Sequence, residues 1–178
     1  MFIKFILNKP YKHIIRGVKG MSKKLVAFFS CTGTTKKVAE NLSKAIGGDL
    51  YEIVPTKLYT NADLNWTDKT SRSSLEMNDK NSRPEIATKV SNMEDYDTIF
   101  IGFPIWWYVA PRIINTFLES YDFSGKKIIV FCTSGGSGLG NTVADLKQSI
   151  SSETEIMEGK RFGVNTSIEE LKEWANKF

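Results

Sequence analysis

The chain has 178 residues, 41% of them hydrophobic and 25% charged, enough for one domain with a sizeable core. It holds no apolar run near the roughly 18 residues that span a bilayer. Its two cysteines, Cys31 and Cys132, offer neither metal-ligand spacing nor a disulfide framework, which points to a reducing, cytoplasmic setting. The formal charge of +4 belongs to the head. Five of the 24 basic residues (Lys4, Lys9, Lys12, Arg16 and Lys19) fall within residues 1–20, where there is no acid, leaving 19 basic and 20 acidic residues in the body. Such a body lacks the clustered basic face expected of a nucleic-acid binder.

Residues 1–21 read as a basic extension ahead of the domain, which begins at Ser22. A packed arm is one alternative, and weak contact of residues 1–20 with an anionic membrane surface is another. The segment makes a poor signal peptide, having no clean apolar core and no small-residue cleavage site. Leu25 to Phe29 is a short bounded apolar run, the pattern of a fully buried strand. A hydroxyl-rich turn follows, Ser30 to Thr35 (SCTGTT), and then Val38, Ala39, Leu42, Ala45 and Ile46 recur at helical spacing. Gly47 and Gly48 stop that helix. Asp49 to Val54 reads as a second strand ended by Pro55.

The next segment is weakly periodic. Residues 59–81 form a polar insertion with Trp66 isolated inside it, and a loop of that length is more often functional than idle. Solvated surface is the expectation for Tyr59, Asp63, Trp66, Arg72 and Glu76, with an auxiliary wall over a ligand as the alternative. Pro84 to Val90 reads as a short helix. Thr98 to Phe103 is a third strand, followed by PIWWYVAP and a helix that starts near Ala110 or Pro111 and buries Ile113, Ile114, Phe117 and Leu118. Lys127 to Cys132 is a fourth strand opening onto TSGGSGLGNT, and Leu139, Val143, Leu146 and Ile150 line the helix beyond it. Thr154 to Phe162 reads as a fifth strand interrupted at Gly159. A capping box of Ser167 and Glu170 opens the last helix, with Ile168, Leu171, Ala175 and Phe178 inward and Trp174 at its side.

Strand and helix alternate five times and the central strands are continuously apolar, as a parallel sheet covered on both faces requires. Three strands end in unusual loops on one carboxyl edge, where open α/β sheets bind ligands. The first is the hydroxyl turn. Strand, turn and helix in that order point backbone N–H groups at an anion, and Ser30, Thr32, Thr34 and Thr35 add hydroxyls around Gly33. The spacing is neither that of a nucleotide-triphosphatase loop nor of a dinucleotide fingerprint. It suits one terminal phosphate. The second loop, Pro104, Ile105, Trp106, Trp107 and Tyr108, sets three large aromatics side by side, too many to face a core together. The third holds Thr133, Ser134, Gly135, Gly136 and Gly140, where glycine lets backbone approach a ligand.

Taken together, SxTGTT, GFPIWWYVAP and CTSGGSGLGNT resemble the flavodoxin family from Ser22 to the C-terminus, and more narrowly its members with a paired-tryptophan loop. The resemblance implies a three-layer α/β sandwich with a five-stranded parallel sheet in the order 2-1-3-4-5, and flavin mononucleotide (FMN) as cofactor. Ser30, Thr32, Gly33, Thr34 and Thr35 would then bind the phosphate. Pro104 to Tyr108 would pass beside the ring, with Trp107 before Trp106 as its cover, and Thr133, Ser134, Gly135, Gly136 and Gly140 would border the other side. The expected function is low-potential electron transfer between a reductase and an acceptor protein, by a monomer or weak dimer. The alternative is an FMN-dependent NAD(P)H:quinone or related oxidoreductase that uses residues 59–81 as a substrate wall. A phosphotyrosine-phosphatase reading fails, because Cys-x5-Arg would need arginine where Lys37 stands.

Overall fold

The computed structural model describes residues 23–178, so the reading of residues 1–21 lies outside it. Five strands form one parallel sheet: β1 (Lys23–Phe28), β2 (Asp49–Glu52), β3 (Tyr96–Pro104), β4 (Lys127–Thr133) and β5 (Glu155–Arg161). Their order is β2-β1-β3-β4-β5, and every adjacent pair is parallel. Side chains alternate across the sheet with period two. Leu25, Ala27, Ile99, Ile101, Ile128 and Val130 point to one face, under α3 (Arg112–Glu119) and α4 (Thr142–Leu146). Val26, Phe28, Phe100, Ile129 and Phe131 point to the other, under α1 (Thr34–Ile46) and α5 (Ile168–Ala175). The central strands are buried on both faces, which is why they read as unbroken apolar runs.

Close packing sets two positions in this sheet. A Cβ on Gly102 would lie 2.2 Å from Cζ of Phe131, its register partner on β4. One on Gly159 would lie 2.2 Å from the Val130 carbonyl oxygen and 2.7 Å from the Trp174 ring. β5 is nonetheless a single strand; the expected interruption is a register shift between Val130 and Cys132.

Several local expectations are corrected. Pro84 to Val90 is extended, not helical: Ile86 bridges Pro55 antiparallel, and Ala87 N–H donates to the Val54 carbonyl at 2.8 Å. The backbone beyond β2 offers this segment a pairing partner, and its bonds go there instead of into a helical turn. The insertion contains a helix, α2 (Arg72–Asn78), whose first turn is capped by the Ser71 hydroxyl accepting from Ser74 N–H at 3.3 Å. α4 lasts five residues before tightening into a 3₁₀ turn, Lys147–Ser149. On α5, Ile168 is 39% exposed, while Trp174 is a core residue edge-on to Phe131 and Phe162. Ser167 accepts from Glu170 N–H at 3.1 Å, but the Glu170 carboxylate pairs with Lys160 at 2.8 Å, so only half of the capping box forms. Among the described residues no helix is long and apolar enough to cross a membrane, and no cluster of His, Cys, Asp and Glu is arranged to hold a metal.

Candidate functional site

All three singled-out loops leave the carboxyl ends of β1, β3 and β4, and adjacent strands bring them together. A cleft of about 780 Å³ is lined by Thr32 and Thr34 from the first, Pro104 and Ile105 from the second, Thr133 to Ser137 from the third, and Trp66 from the insertion. Beside it a cleft of about 400 Å³ is lined by Leu64, Trp66 and Ser73 of the insertion, Ile105 to Tyr108, and Ser137. The two share Trp66, Ile105 and Ser137.

The hydroxyl turn is shaped by Gly33, whose φ of +86° lets the chain enter α1, and by Ser30, whose Oγ accepts from Gly33 N–H at 3.1 Å. α1 begins with no side-chain cap and no acidic residue in its first turn. A 13-residue helix started this way keeps N–H donors free for an outside anion. Thr32 and Thr34 are exposed beside them. Thr35 is buried, and its hydroxyl bonds that of Thr133 at 2.8 Å, fastening the first loop to the third. Cys31 is half-buried against the core, and burial pushes its thiol up to about 12, with Arg72 opposing and Glu76 adding to the shift. It stays protonated and acts as filler within the turn.

The tryptophan loop separates its aromatics by conformation. Trp106 and Val109 exchange two backbone hydrogen bonds of 3.0 and 3.1 Å around Trp107 and Tyr108. These two residues have φ of +47° and +66°. Positive φ at both central positions is the type I′ turn that suits a two-residue hairpin. It costs roughly 1–2 kcal/mol per non-glycine residue, and its carbonyl side is tight, since a Cβ on Gly140 would lie 2.7 Å from the Tyr108 oxygen. The turn sends Trp106 inward, edge-on to Phe29 at 5.7 Å and to Tyr59 at 5.4 Å. Trp107 and Tyr108 point outward, 42% and 74% exposed. The third loop is braced by Ser134, whose Oγ donates to the Ser137 carbonyl and accepts from Gly136 N–H. A Cβ added at Gly135 or Gly136 would meet no protein atom within 4 Å. The protein's own packing therefore does not demand glycine there.

The insertion supplies what sequence reasoning misplaced. Tyr59, Arg72 and Glu76 are largely buried rather than solvated. Arg72 lies over the Tyr59 ring, 4.0 Å from its centroid. Its Nε donates to Glu76 at 2.6 Å, its Nη1 donates to the Lys57 carbonyl, and the Tyr59 hydroxyl donates to the other Glu76 oxygen. Burial, then the bond to Glu76, pushes the Tyr59 phenol up, so it stays a donor. Asp63 is half-buried, its carboxylate accepting from the Thr60 amide and hydroxyl at 2.9 and 2.8 Å, and Trp66 is exposed at the border of both clefts. The missed signal was Arg72 and Glu76 four apart behind a serine cap, a helical ion pair.

A model of the flavodoxin family matches residues 23–178. Among solved structures, a protein assigned as a flavoprotein from Bacteroides eggerthii is 49% identical over 88% of this chain and 97% of its own, with a TM-score of 0.82. A counterpart from Bacteroides uniformis is 46% identical over 87% and 98%, with a TM-score of 0.75. A Lactobacillus acidophilus flavoprotein solved in complex with FMN is 24% identical over 86% and 99%, with a TM-score of 0.63, a likeness of fold. No curated protein sequence matches the chain. With its whole described length covered by the family model and the sheet order matching, the chain belongs to the flavodoxin family.

Proposed function

We propose that the protein is an FMN-dependent electron carrier that passes electrons from a reductase to an acceptor protein at low potential. The cofactor follows from family membership, and the site suits it. Uncapped N–H groups at the start of α1, with Ser30, Thr32, Gly33, Thr34 and the Thr35 amide, hold the phosphate. Pro104, Ile105, Trp107 and Tyr108 would border the ring, and Trp106, packed on Phe29 and Tyr59, supports their loop from the core side. Ser134, Gly135 and Gly136 offer backbone to its polar edge, while Thr133 and Gly140 set the shape of that loop. When bound, FMN supplies the one- and two-electron chemistry; the chain supplies binding and surroundings.

The observation that carries the carrier reading is the lining itself. No Asp, Glu, Lys, Arg or His lines either cleft among the described residues, so no side chain there is suited to proton transfer at neutral pH. Neutral surroundings beside a doubly charged phosphate also disfavour added negative charge, which keeps the potential low. The quinone reductase alternative is favoured by the aromatic 400 Å³ cleft, to whose wall the insertion contributes Leu64, Trp66 and Ser73. The test is titration of apoprotein with FMN, then anaerobic reduction by NADPH with and without a flavodoxin reductase. Stoichiometric quenching of flavin fluorescence, and reduction that needs the reductase, are expected. No quenching overturns the cofactor; rapid saturable reduction by NADPH alone overturns the carrier.

A further inference from the structure

We infer that a third cleft, walled by Arg112 and Lys80, is a binding site for a small organic acid: a monoanionic carboxylate with an apolar body. The cleft, about 400 Å³, lies where the end of α2, the tryptophan loop, the start of α3 and α4 meet. It shares only Trp107 with the aromatic cleft and nothing with the cleft that contains the hydroxyl turn. Arg112 is the residue that a purely structural account leaves unexplained. It is 4% exposed and opens α3, a helix with no side-chain cap and no acid in its first turn. A cation there stands at the positive end of the helix dipole. Among the described residues its guanidinium makes one hydrogen bond, from Nη1 to Asp145 at 2.8 Å, and Nε is buried with no partner. An ion pair that only fastened α3 to α4 would leave that donor as a standing cost, since buried charges are normally paired and fully hydrogen-bonded.

Around the guanidinium the wall divides between donors and apolar surface. Lys80 is exposed and joins no ion pair among the described residues, so its ammonium adds a second positive charge. Asn141 and Gln148, also exposed, add amide donors. Met77, Val109, Ala144 and the Trp107 indole supply the apolar remainder. Lys80 and Arg112 against Asp145 leave one net positive charge. That matches a single carboxylate, whereas a phosphate dianion would bring excess charge and make no use of the apolar half. An acid seated in this cleft contacts the same indole that borders the ring in the FMN reading, but the site does not depend on that reading.

The test is calorimetric titration of the full chain, flavin-free and FMN-loaded, at low salt. The probes are benzoate, its neutral isostere benzamide, and inorganic phosphate. Benzoate should bind both forms with a Kd on the order of 1 mM, and the other two at least roughly tenfold more weakly. In two-dimensional NMR, benzoate should shift the Trp107 indole N–H signal and leave that of Trp174, in the core on the opposite face of the sheet, in place. Lys80→Gln, at an exposed position, should weaken benzoate roughly 2- to 5-fold. Arg112→Gln combined with Asp145→Asn removes both charges of the pair and strands neither; it should weaken benzoate at least roughly tenfold. Should that double variant fail to fold, Lys80→Gln and the benzamide comparison still decide. No benzoate binding at roughly 20 mM, equal binding of benzamide, or an affinity that Lys80→Gln and the double variant leave unchanged would overturn the site. Phosphate binding as tightly as benzoate would overturn the carboxylate assignment. The flavin-free titration stands whether or not FMN binds, so failure of this inference and failure of the cofactor reading are separate results.

Discussion

Gly102→Ala isolates how tightly the sheet is built behind the ligand loops. The new Cβ would sit 2.2, 2.5 and 2.9 Å from Cζ, Cε2 and Cε1 of Phe131. Carbon atoms in ordinary contact lie about 3.5–4.0 Å apart, so the ring has to retreat by more than about 1 Å. It has no free direction, being fully buried and edge-on to Phe162 at 6.2 Å and Trp174 at 6.1 Å. Overpacking typically costs about 1–3 kcal/mol, and three clashing ring atoms place this variant at the upper end, near 3 kcal/mol. For a domain of this size that lowers Tm by roughly 6–12 °C. Phe131→Leu alone should cost about 1–2 kcal/mol. Combined with Gly102→Ala, it should recover about 1–2 kcal/mol relative to the sum of the single changes, because the smaller side chain vacates the clash. Urea unfolding of the four proteins gives the cycle. A Gly102→Ala protein within about 0.5 kcal/mol of wild type, or strictly additive effects, would refute the reasoning.

Trp106→Ala and Trp107→Ala should separate cleanly. The first removes packing on Phe29 and Tyr59 and should destabilise the fold by about 2–3 kcal/mol, below the fully buried range because Trp106 is half-buried. The second should leave stability nearly unchanged and weaken FMN binding roughly 2- to 12-fold; equal effects of the two on both urea unfolding and FMN titration would sink this division. Alkaline pH offers a further check. Thiols ionise near 9 in the unfolded chain but are pushed up to about 12 by burial at Cys31 and Cys132. Unfolding therefore releases protons above pH 9, and stability, complete below that, should fall as pH rises from 9 toward 12. Cys31→Ser should flatten part of that slope in denaturation curves measured at several pH values, and an unchanged slope would show that Cys31 does not ionise in this way.

Apolar runs and helical spacing were enough to place the layers and the edge at which the site lies. Unbroken apolar runs such as Ile128–Cys132 are legible because a strand buried on both faces leaves no polar position. The hydroxyl, tryptophan and glycine loops stood out because each breaks off where such a run ends. The start of α3 and the buried face of α1 followed from spacing alone. The resemblance carried by the three loops supplied the strand order, which local pattern does not encode because pairing joins strands far apart in the chain. Which tryptophan is core and which is free came from packing: Trp106 and Trp107 are alike in sequence, and the I′ turn with Tyr59 on its inner side sends them apart. Tertiary contacts likewise turned Thr35 toward Thr133, and Pro84–Val90 toward the strand end at Pro55. The insertion was least legible of all, because Tyr59, Arg72 and Glu76 are polar residues that become buried only by satisfying one another, and a satisfied charge leaves no trace in hydrophobic periodicity.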